Sequence, residues 1–219
     1  MQKFEWNELN ALDLSGYAIV DARKPEIFTD GFIEDSVSIP FGDNFIDSLQ
    51  ELISADIKVI VVAGESDIPA IVKTVKGSGL SNIVGYLAGG FDAWLKAGNK
   101  FDMLIGIDPD EFAIDYQFDE FYLIDVRDKE DFEKGHVEDA ENIALIDLEP
   151  LLIEMETKDI YYLYGNTAAE AMTAASLLKR NGFERVRPVA ADYAAIKATG
   201  IPLFAPKKKG NSSSTNAEN

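Results

Sequence analysis

Continuous apolar runs alternate along this chain with stretches whose apolar residues recur every three or four positions. YAIVDA from Tyr17 and KVIVVA from Lys58 are short and rich in β-branched residues, the pattern of strands buried on both faces and so of a parallel sheet. Between them, NFIDSLQELI sets Phe45, Leu49, Leu52 and Ile53 at helical spacing behind Asn44, a residue suited to cap a first turn. FDAWLKAG from Phe91 predicts another helix, ending on Gly98 as helix C-termini commonly do. The order then recurs, with YLIDV from Tyr122 and DIYYLY from Asp159 as strands and AAEAMTAASLLKRNG from Ala168 as a helix. Strand and helix alternating over short connections predict right-handed crossovers and an α/β fold, a small parallel sheet covered by helices on both faces.

The recurrence is an internal repeat. DARKPEIFTDGFIEDSVSI from Asp21 aligns with DVRDKEDFEKGHVEDAENI from Asp125, pairing Asp21 with Asp125, Arg23 with Arg127, Glu26 with Glu130, Phe28 with Phe132, Gly31 with Gly135 and Ile39 with Ile143 at a constant offset of 104. Farther on, GSGL ending at Leu80 matches RNGF ending at Phe183 at an offset of 103, and FDAWLKAG matches YAAIKATG from Tyr193 at 102. Single-residue loop deletions account for the drift. A repeat of this size fixes the domain count at two. The expected division is 1–99, 100–206 and a polar, Ser- and Asn-rich tail over 207–219 that lacks apolar periodicity and is expected to be disordered. Each repeat is expected to fold independently.

Composition narrows the chemistry. Twenty Lys and Arg against 39 Asp and Glu give a net charge of −19, which repels polyanions and argues against nucleic acid. No apolar run approaches the roughly 20 residues a membrane helix needs, and the N-terminus does not read as a signal peptide, so no membrane is implied and a cytoplasmic location is the default. The chain has one histidine, His136, and no cysteine, which removes the zinc, iron–sulfur and haem sites built from those ligands. The acidic clusters DPDEF from Asp108 and DKEDF from Asp128 lack the glycine and ligand spacing of a calcium loop. They read as solvated faces, and neither a metal nor another cofactor is expected.

The ordered motifs resemble the rhodanese family. Its pattern runs from Asp-x-Arg at a strand end through an acidic-x-aromatic pair, Gly-His and Ala-x-Asn-Ile to a cysteine loop, a helix, and Leu-x-Gly-Gly with a downstream Trp. The second copy carries the first part as Asp125, Arg127, Glu130, Phe132, Gly135, His136, Val137, Ala140, Asn142 and Ile143, and the first copy carries the last part as Leu87, Gly89, Gly90, Trp94 and Gly98. The resemblance implies two tandem rhodanese-like domains. It also implies persulfide chemistry at a cysteine ending the central strand, cradled by loop amides at a helix N-terminus.

That cysteine is missing from both copies. Spacing back from Gly182 puts its position at Gly165, followed by Asn166, Thr167, Ala168, Ala169 and Glu170; in the first copy it falls on Val62 or Ala63, followed by Gly64, Glu65, Ser66 and Asp67. Ser66 and Thr167 are hydroxyls without an evident base. Asp21 with Arg23, Asp125 with Arg127, and His136 read as structural groups fixing the strand ends and local backbone. Glu170, Glu65 and Asp67 are expected to cap the loop amides themselves and so disfavour bound anions. The implied function is a catalytically inactive interaction or regulatory module, with a protein partner that the sequence does not name, associated with a larger sulfur-handling enzyme. The alternatives are small-anion binding by the cysteine-less loops, or a sulfurtransferase whose cysteine was lost or replaced.

Overall fold

The apolar runs become the central strands of two parallel sheets. The structure, a computed structural model, describes residues 1–204, and the tail expected over 207–219 lies outside the described residues. The first repeat comprises β1 (Gln2–Phe4), α1 (Trp6–Asn10), β2 (Tyr17–Asp21), α2 (Pro25–Thr29), β3 (Val37–Ser38), α3 (Phe45–Leu52), β4 (Lys58–Val62), α4 (Ile68–Ser78), β5 (Ile83–Leu87) and α5 (Gly90–Lys96). Its five strands lie in the order β1-β5-β4-β2-β3, every pairing parallel.

The second repeat follows as α6 (Pro109–Phe118), β6 (Tyr122–Asp125), α7 (Lys129–Lys134), β7 (His136–Val137), β8 (Glu141–Asn142), α8 (Leu145–Leu151), β9 (Ile160–Tyr164), α9 (Ala168–Arg180), β10 (Arg185–Pro188), α10 (Tyr193–Ala198) and β11 (Leu203–Phe204). Here the parallel order is β10-β9-β6-β8, with β11 and β7 forming a separate antiparallel pair. The expected α/β architecture is therefore present twice.

The start of α3 departs from expectation. Asn44 does stand at the N-cap of α3, but its φ of −92° and ψ of 7° are not the extended backbone of a capping residue, and its side chain caps nothing. By contrast, the acidic cluster at Asp108 is a cap, its Oδ1 accepting from the Asp110 and Glu111 amides at 3.0 and 2.9 Å. Gly98, just past α5, has the left-handed φ of 76° that its place required.

The two repeats meet through a shared core. One buried cluster contains Val20, Val61 and Ile71 of the first repeat together with Ile124, Leu163 and Leu178 of the second. Helix α9 makes the junction, with every residue from Ala171 to Leu178 buried. Its inner stripe packs on its own sheet, and its other side reaches the edge of the first. There Ser176 Oγ accepts the Ser38 N–H at 2.9 Å while Thr173 Oγ1 donates to the Ser38 carbonyl at 2.7 Å. These bonds satisfy the outward backbone groups of β3 that would otherwise be buried unpaired. Between the repeats, Phe32 and Asp102 exchange backbone hydrogen bonds of 2.9 Å, and Asp102 is held in turn by Lys179 of its own repeat at 2.9 Å. Folding of either repeat alone would therefore leave this shared apolar surface in water.

Candidate functional site

Sheet register brings the two cysteine-equivalent places into correspondence. Asp21 is paired with Val62 as Asp125 is with Tyr164, and the next residue in each case, Ala22 or Val126, donates its N–H to that partner's carbonyl at 2.7 and 2.9 Å. Ala63 thus stands where Gly165 does, and Val62 corresponds to Tyr164. Each opens a loop into the N-terminus of a helix, α4 or α9, where unpaired amides concentrate positive potential.

In the second loop, that potential is met from within. Thr167 caps α9 by accepting the Glu170 N–H at 3.2 Å, and Glu170 reaches back to accept the Asn166 N–H on Oε2 at 2.8 Å. The exchange resembles a capping box displaced by one residue. A Cβ at Gly165 would lie 2.7 Å from Glu170 Cβ, 2.8 Å from its Oε2 and 3.3 Å from Val126 Cγ2. The carboxylate therefore takes the space of the missing side chain. Burial raises the Glu170 carboxyl above its ordinary range, against the lowering effect of the Asn166 amide and with a further push from the charge of Asp128. Asn166 is itself held, its Nδ2 donating to Asp131 at 3.1 Å and its carbonyl accepting from the Tyr193 amide at 3.3 Å. Ala168 and Ala169 begin the helix and carry no polar side chain toward the loop.

The first loop is built differently, and here the expected capping by Glu65 and Asp67 does not occur. Asp67 precedes α4 but makes no side-chain bond to its amides, and among the described residues its only side-chain hydrogen bond is a long one from Ser66 Oγ at 3.4 Å. Its αR backbone does not present the carboxylate to the turn as an extended cap residue would. The turn closes through its own backbone, the Asp67 N–H donating to the Gly64 carbonyl at 2.9 Å. Pro69 in the first turn of α4 removes one donor altogether. A cleft of about 600 Å³ lies in front, bordered by Arg23, Lys24, Gly64, Glu65, Gly90 and Lys96. Gly89 and Gly90 both have left-handed φ, 68° and 56°, and a Cβ at Gly90 would sit 2.3 Å from the Ala63 carbonyl. Only glycine lets α5 approach the loop so closely.

The two Asp-x-Arg pairs are engaged in near-identical networks. Arg23 contacts Asp21 through Nε at 2.9 Å and Nη2 at 2.6 Å and donates to the Gly31 carbonyl at 2.7 Å. Arg127 meets Asp125 at 2.9 and 2.5 Å and the Gly135 carbonyl at 2.8 Å. Each guanidinium also covers an aromatic ring of the last helix, Phe91 at 4.4 Å and Tyr193 at 3.6 Å. These groups tie strand end, following turn and closing helix together. His136 bonds the Phe132 carbonyl through Nδ1 at 2.9 Å and stacks on Phe132 and Phe204, with centroids at 3.6 and 4.9 Å.

Two features escaped the sequence reading. Tyr164, immediately before Gly165, is fully buried and accepts the Val137 N–H on its hydroxyl at 3.0 Å, with burial driving its phenol far above the usual range. The interfacial role of α9 was the other. Its signal is composition, since AAEAMTAASLLKR has small or apolar residues all round where a surface helix has a polar face.

The family model described as rhodanese-like domain matches twice, over residues 6–97 and 109–199. A Bacillus subtilis protein, the uncharacterized protein YqhL, is 37% identical over 73 residues, which are 33% of this chain and 56% of that protein. The matched part is thus little more than half of that relative's length. Among solved structures, a rhodanese-like domain from Anabaena sp. matches at 24% identity and TM-score 0.45, covering 53% of this chain and 93% of that one. A thiosulfate sulfurtransferase from Pseudomonas aeruginosa matches at 14% identity and TM-score 0.42, covering 94% of this chain and 44% of its own.

Proposed function

The chain belongs to the rhodanese-like family, and from that premise we propose that it is a catalytically silent tandem member, an interaction or regulatory module linked to sulfur metabolism. The observation that carries this reading is the place of Glu170. Sulfur transfer by the family's route needs a thiolate that attacks a donor's sulfane sulfur, holds it as a persulfide and yields it to a thiophile. The chain has no cysteine at all, and in the second loop a carboxylate already fills the space beside Gly165 and bonds the Asn166 amide. A loop that supplies its own anion has no need of a substrate's. This also weighs against a sulfurtransferase that merely lost its cysteine, since restoring a side chain at Gly165 meets Glu170.

In this reading, the fold is retained for its surfaces, in the cytoplasm and beside a larger sulfur-handling enzyme. The test is an assay of thiocyanate formation from thiosulfate and cyanide with purified protein. No rate above the uncatalysed one is expected, and thiocyanate rising in proportion to protein would overturn the reading.

A second reading, small-anion binding, is favoured only at the first loop, because Glu65 and Asp67 leave its amides uncapped and Lys24 and Lys96 border its cleft. Calorimetric titration with phosphate, sulfate and thiosulfate decides between the two. A dissociation constant well below about 1 mM, equivalent to roughly −4 kcal/mol, would establish the anion site.

A further inference from the structure

The contact between the repeats has two halves, and each repeat carries a counterpart of the half that the other one uses. In the first repeat, the edge strand β3 receives a helix: Val37 is fully buried and the outward N–H and C=O of Ser38 are bonded by Ser176 and Thr173 of α9. In the second repeat, β8 holds the same place, since Glu141 and Asn142 pair with Ile124 and Asp125 as Val37 and Ser38 pair with Val20 and Asp21. Among the described residues no helix packs on it as α9 packs on β3, and Glu141 is exposed. Next to this edge lies a groove of about 310 Å³ lined by Tyr122, Leu151 and Met155 and rimmed by Glu141, Glu154 and Glu156. Nearby, Ile153 is 91% exposed and Tyr122 is 57% exposed.

The missing helix has a counterpart in the first repeat. Ile71 and Val75 of α4 face their own sheet as Ala174 and Leu178 of α9 do, all four buried. The same offset of 103 puts Ala70 where Thr173 stands and Lys73 where Ser176 stands. This outer face of α4, with Ala70, Lys73, Thr74, Lys76 and Gly77, is exposed. In a chain of net charge −19, α4 carries two lysines and no acidic residue. Among the described residues neither lysine has a carboxylate partner.

We propose that copies of this chain associate head to tail, the outer face of α4 of one copy seating on the β8 edge of the next as α9 seats on β3 within each chain. The proposal rests on the reading of the chain as an interaction module and names a second copy as its partner. Lys73 then stands at Asn142, next to Glu141, and Lys76 faces the acidic rim. Because the surfaces differ, the contact is heterologous and leaves one free face at each end of a pair, so assemblies grow past dimers with concentration. Because charge pairing contributes, salt weakens them.

Sedimentation velocity of the full chain from about 10 µM to about 1 mM tests this, a range that spans weak association. The weight-average mass is expected to rise severalfold across the range and to return toward the monomer in about 0.5 M salt. Ala70→Trp blocks the helix face, Glu141→Lys blocks the edge, and both residues are exposed, so folding is unaffected. Each variant alone is expected to remain monomeric, and an equimolar mixture to stop at dimers, since one intact helix face and one intact edge remain. A wild type that stays monomeric throughout overturns the proposal, as does association that neither substitution reduces or a mixture that grows past dimers. So does a monomeric wild type whose groove instead binds a synthetic basic amphipathic peptide released by Glu141→Lys, which assigns the groove to another protein. None of these results bears on thiocyanate formation, so the failure of this proposal and that of the silent-module reading are read separately.

Discussion

The two repeats share a strand end and differ in what surrounds it. Both hold an aspartate–arginine pair against a backbone carbonyl eight residues on, and in both the neighbouring strand, β4 or β9, leads through a loop into a helix. In the second repeat, that loop is filled by Glu170 and its helix is buried on all sides. In the first, the loop faces an open cleft and its helix is amphipathic, with only Ile71 and Val75 buried. The fold therefore needs the pair in both places, and tolerates opposite solutions at the loop and on the helix. What survives in both copies is architecture, and what varies is where the site and the interfaces were.

The largest expected effect tests the shared part. Asp125→Ala leaves Arg127 buried at 3% exposure without its carboxylate, and a buried charge stripped of its partner costs about 3–5 kcal/mol. Asp21→Ala is expected to cost less, because Arg23 retains 10% exposure and reaches water more readily. Urea unfolding midpoints rank the two; equal costs would mean that burial of the arginine does not set the penalty.

Next in size is the asymmetry of the helices. Thr173→Val combined with Ser176→Ala removes both side-chain bonds to Ser38, leaving a buried donor and acceptor unpaired at about 1–3 kcal/mol. Ala70→Ser with Lys73→Ser changes the corresponding exposed positions of α4 and is expected to stay within about 0.5 kcal/mol in dilute monomer. Similar costs at both helices would contradict the structure's account of which one joins the repeats.

Much of this was legible in the chain. The apolar runs at Tyr17 and Lys58 and their recurrence at Tyr122 and Asp159 located four central strands, because strands buried on both faces need nothing but apolar residues. The strand-end pairs were legible because their partners lie two residues apart, within reach of local backbone geometry. Tertiary context hid the rest. Nothing near Asn44 in sequence reveals the backbone angles that turn its side chain away from the helix. Likewise, Glu65 and Asp67 carry the right groups for a cap, and only the αR backbone at Asp67 withholds them. The interface of α9 was written in its composition, but its partner, Ser38, lies 138 residues from Ser176, a distance that local patterns do not span.

A smaller effect probes the filled loop. Gly165→Cys sets a Cβ against Glu170 at 2.7 Å, and overpacking of this kind costs about 1–3 kcal/mol. Glu170→Gly removes both the Cβ and the carboxylate in the way, so the double variant is expected to be more stable than the sum of the two single costs predicts. Strict additivity in the double-mutant cycle would show that the two side chains do not compete for one space.

The smallest effect separates the loops by pH. Burial raises the Glu170 carboxyl above its ordinary 4.5, with the Asn166 amide partly opposing the rise. A carboxyl whose folded value is raised binds its proton more tightly in the folded state than in the unfolded one. Its stabilising contribution is therefore fully present below the unfolded value and is lost as pH rises through the folded one. Glu170→Gln keeps an oxygen to accept the Asn166 N–H and removes the titration. The stability of the wild type relative to this variant is thus expected to be greatest in acid and to fall toward neutral pH. Unfolding midpoints of both proteins from about pH 4 to about pH 8 measure it, a span covering carboxyl titration. Glu65→Gln in the first loop, where the carboxylate bonds no amide, controls for the loss of one surface charge from an acidic chain. If the stability of the wild type relative to Glu170→Gln instead runs flat with pH, then Glu170 is solvated, the amides of the second loop are open to a ligand, and the difference between the two loops disappears; if it rises toward neutral pH, the Asn166 amide outweighs burial in setting the titration of Glu170.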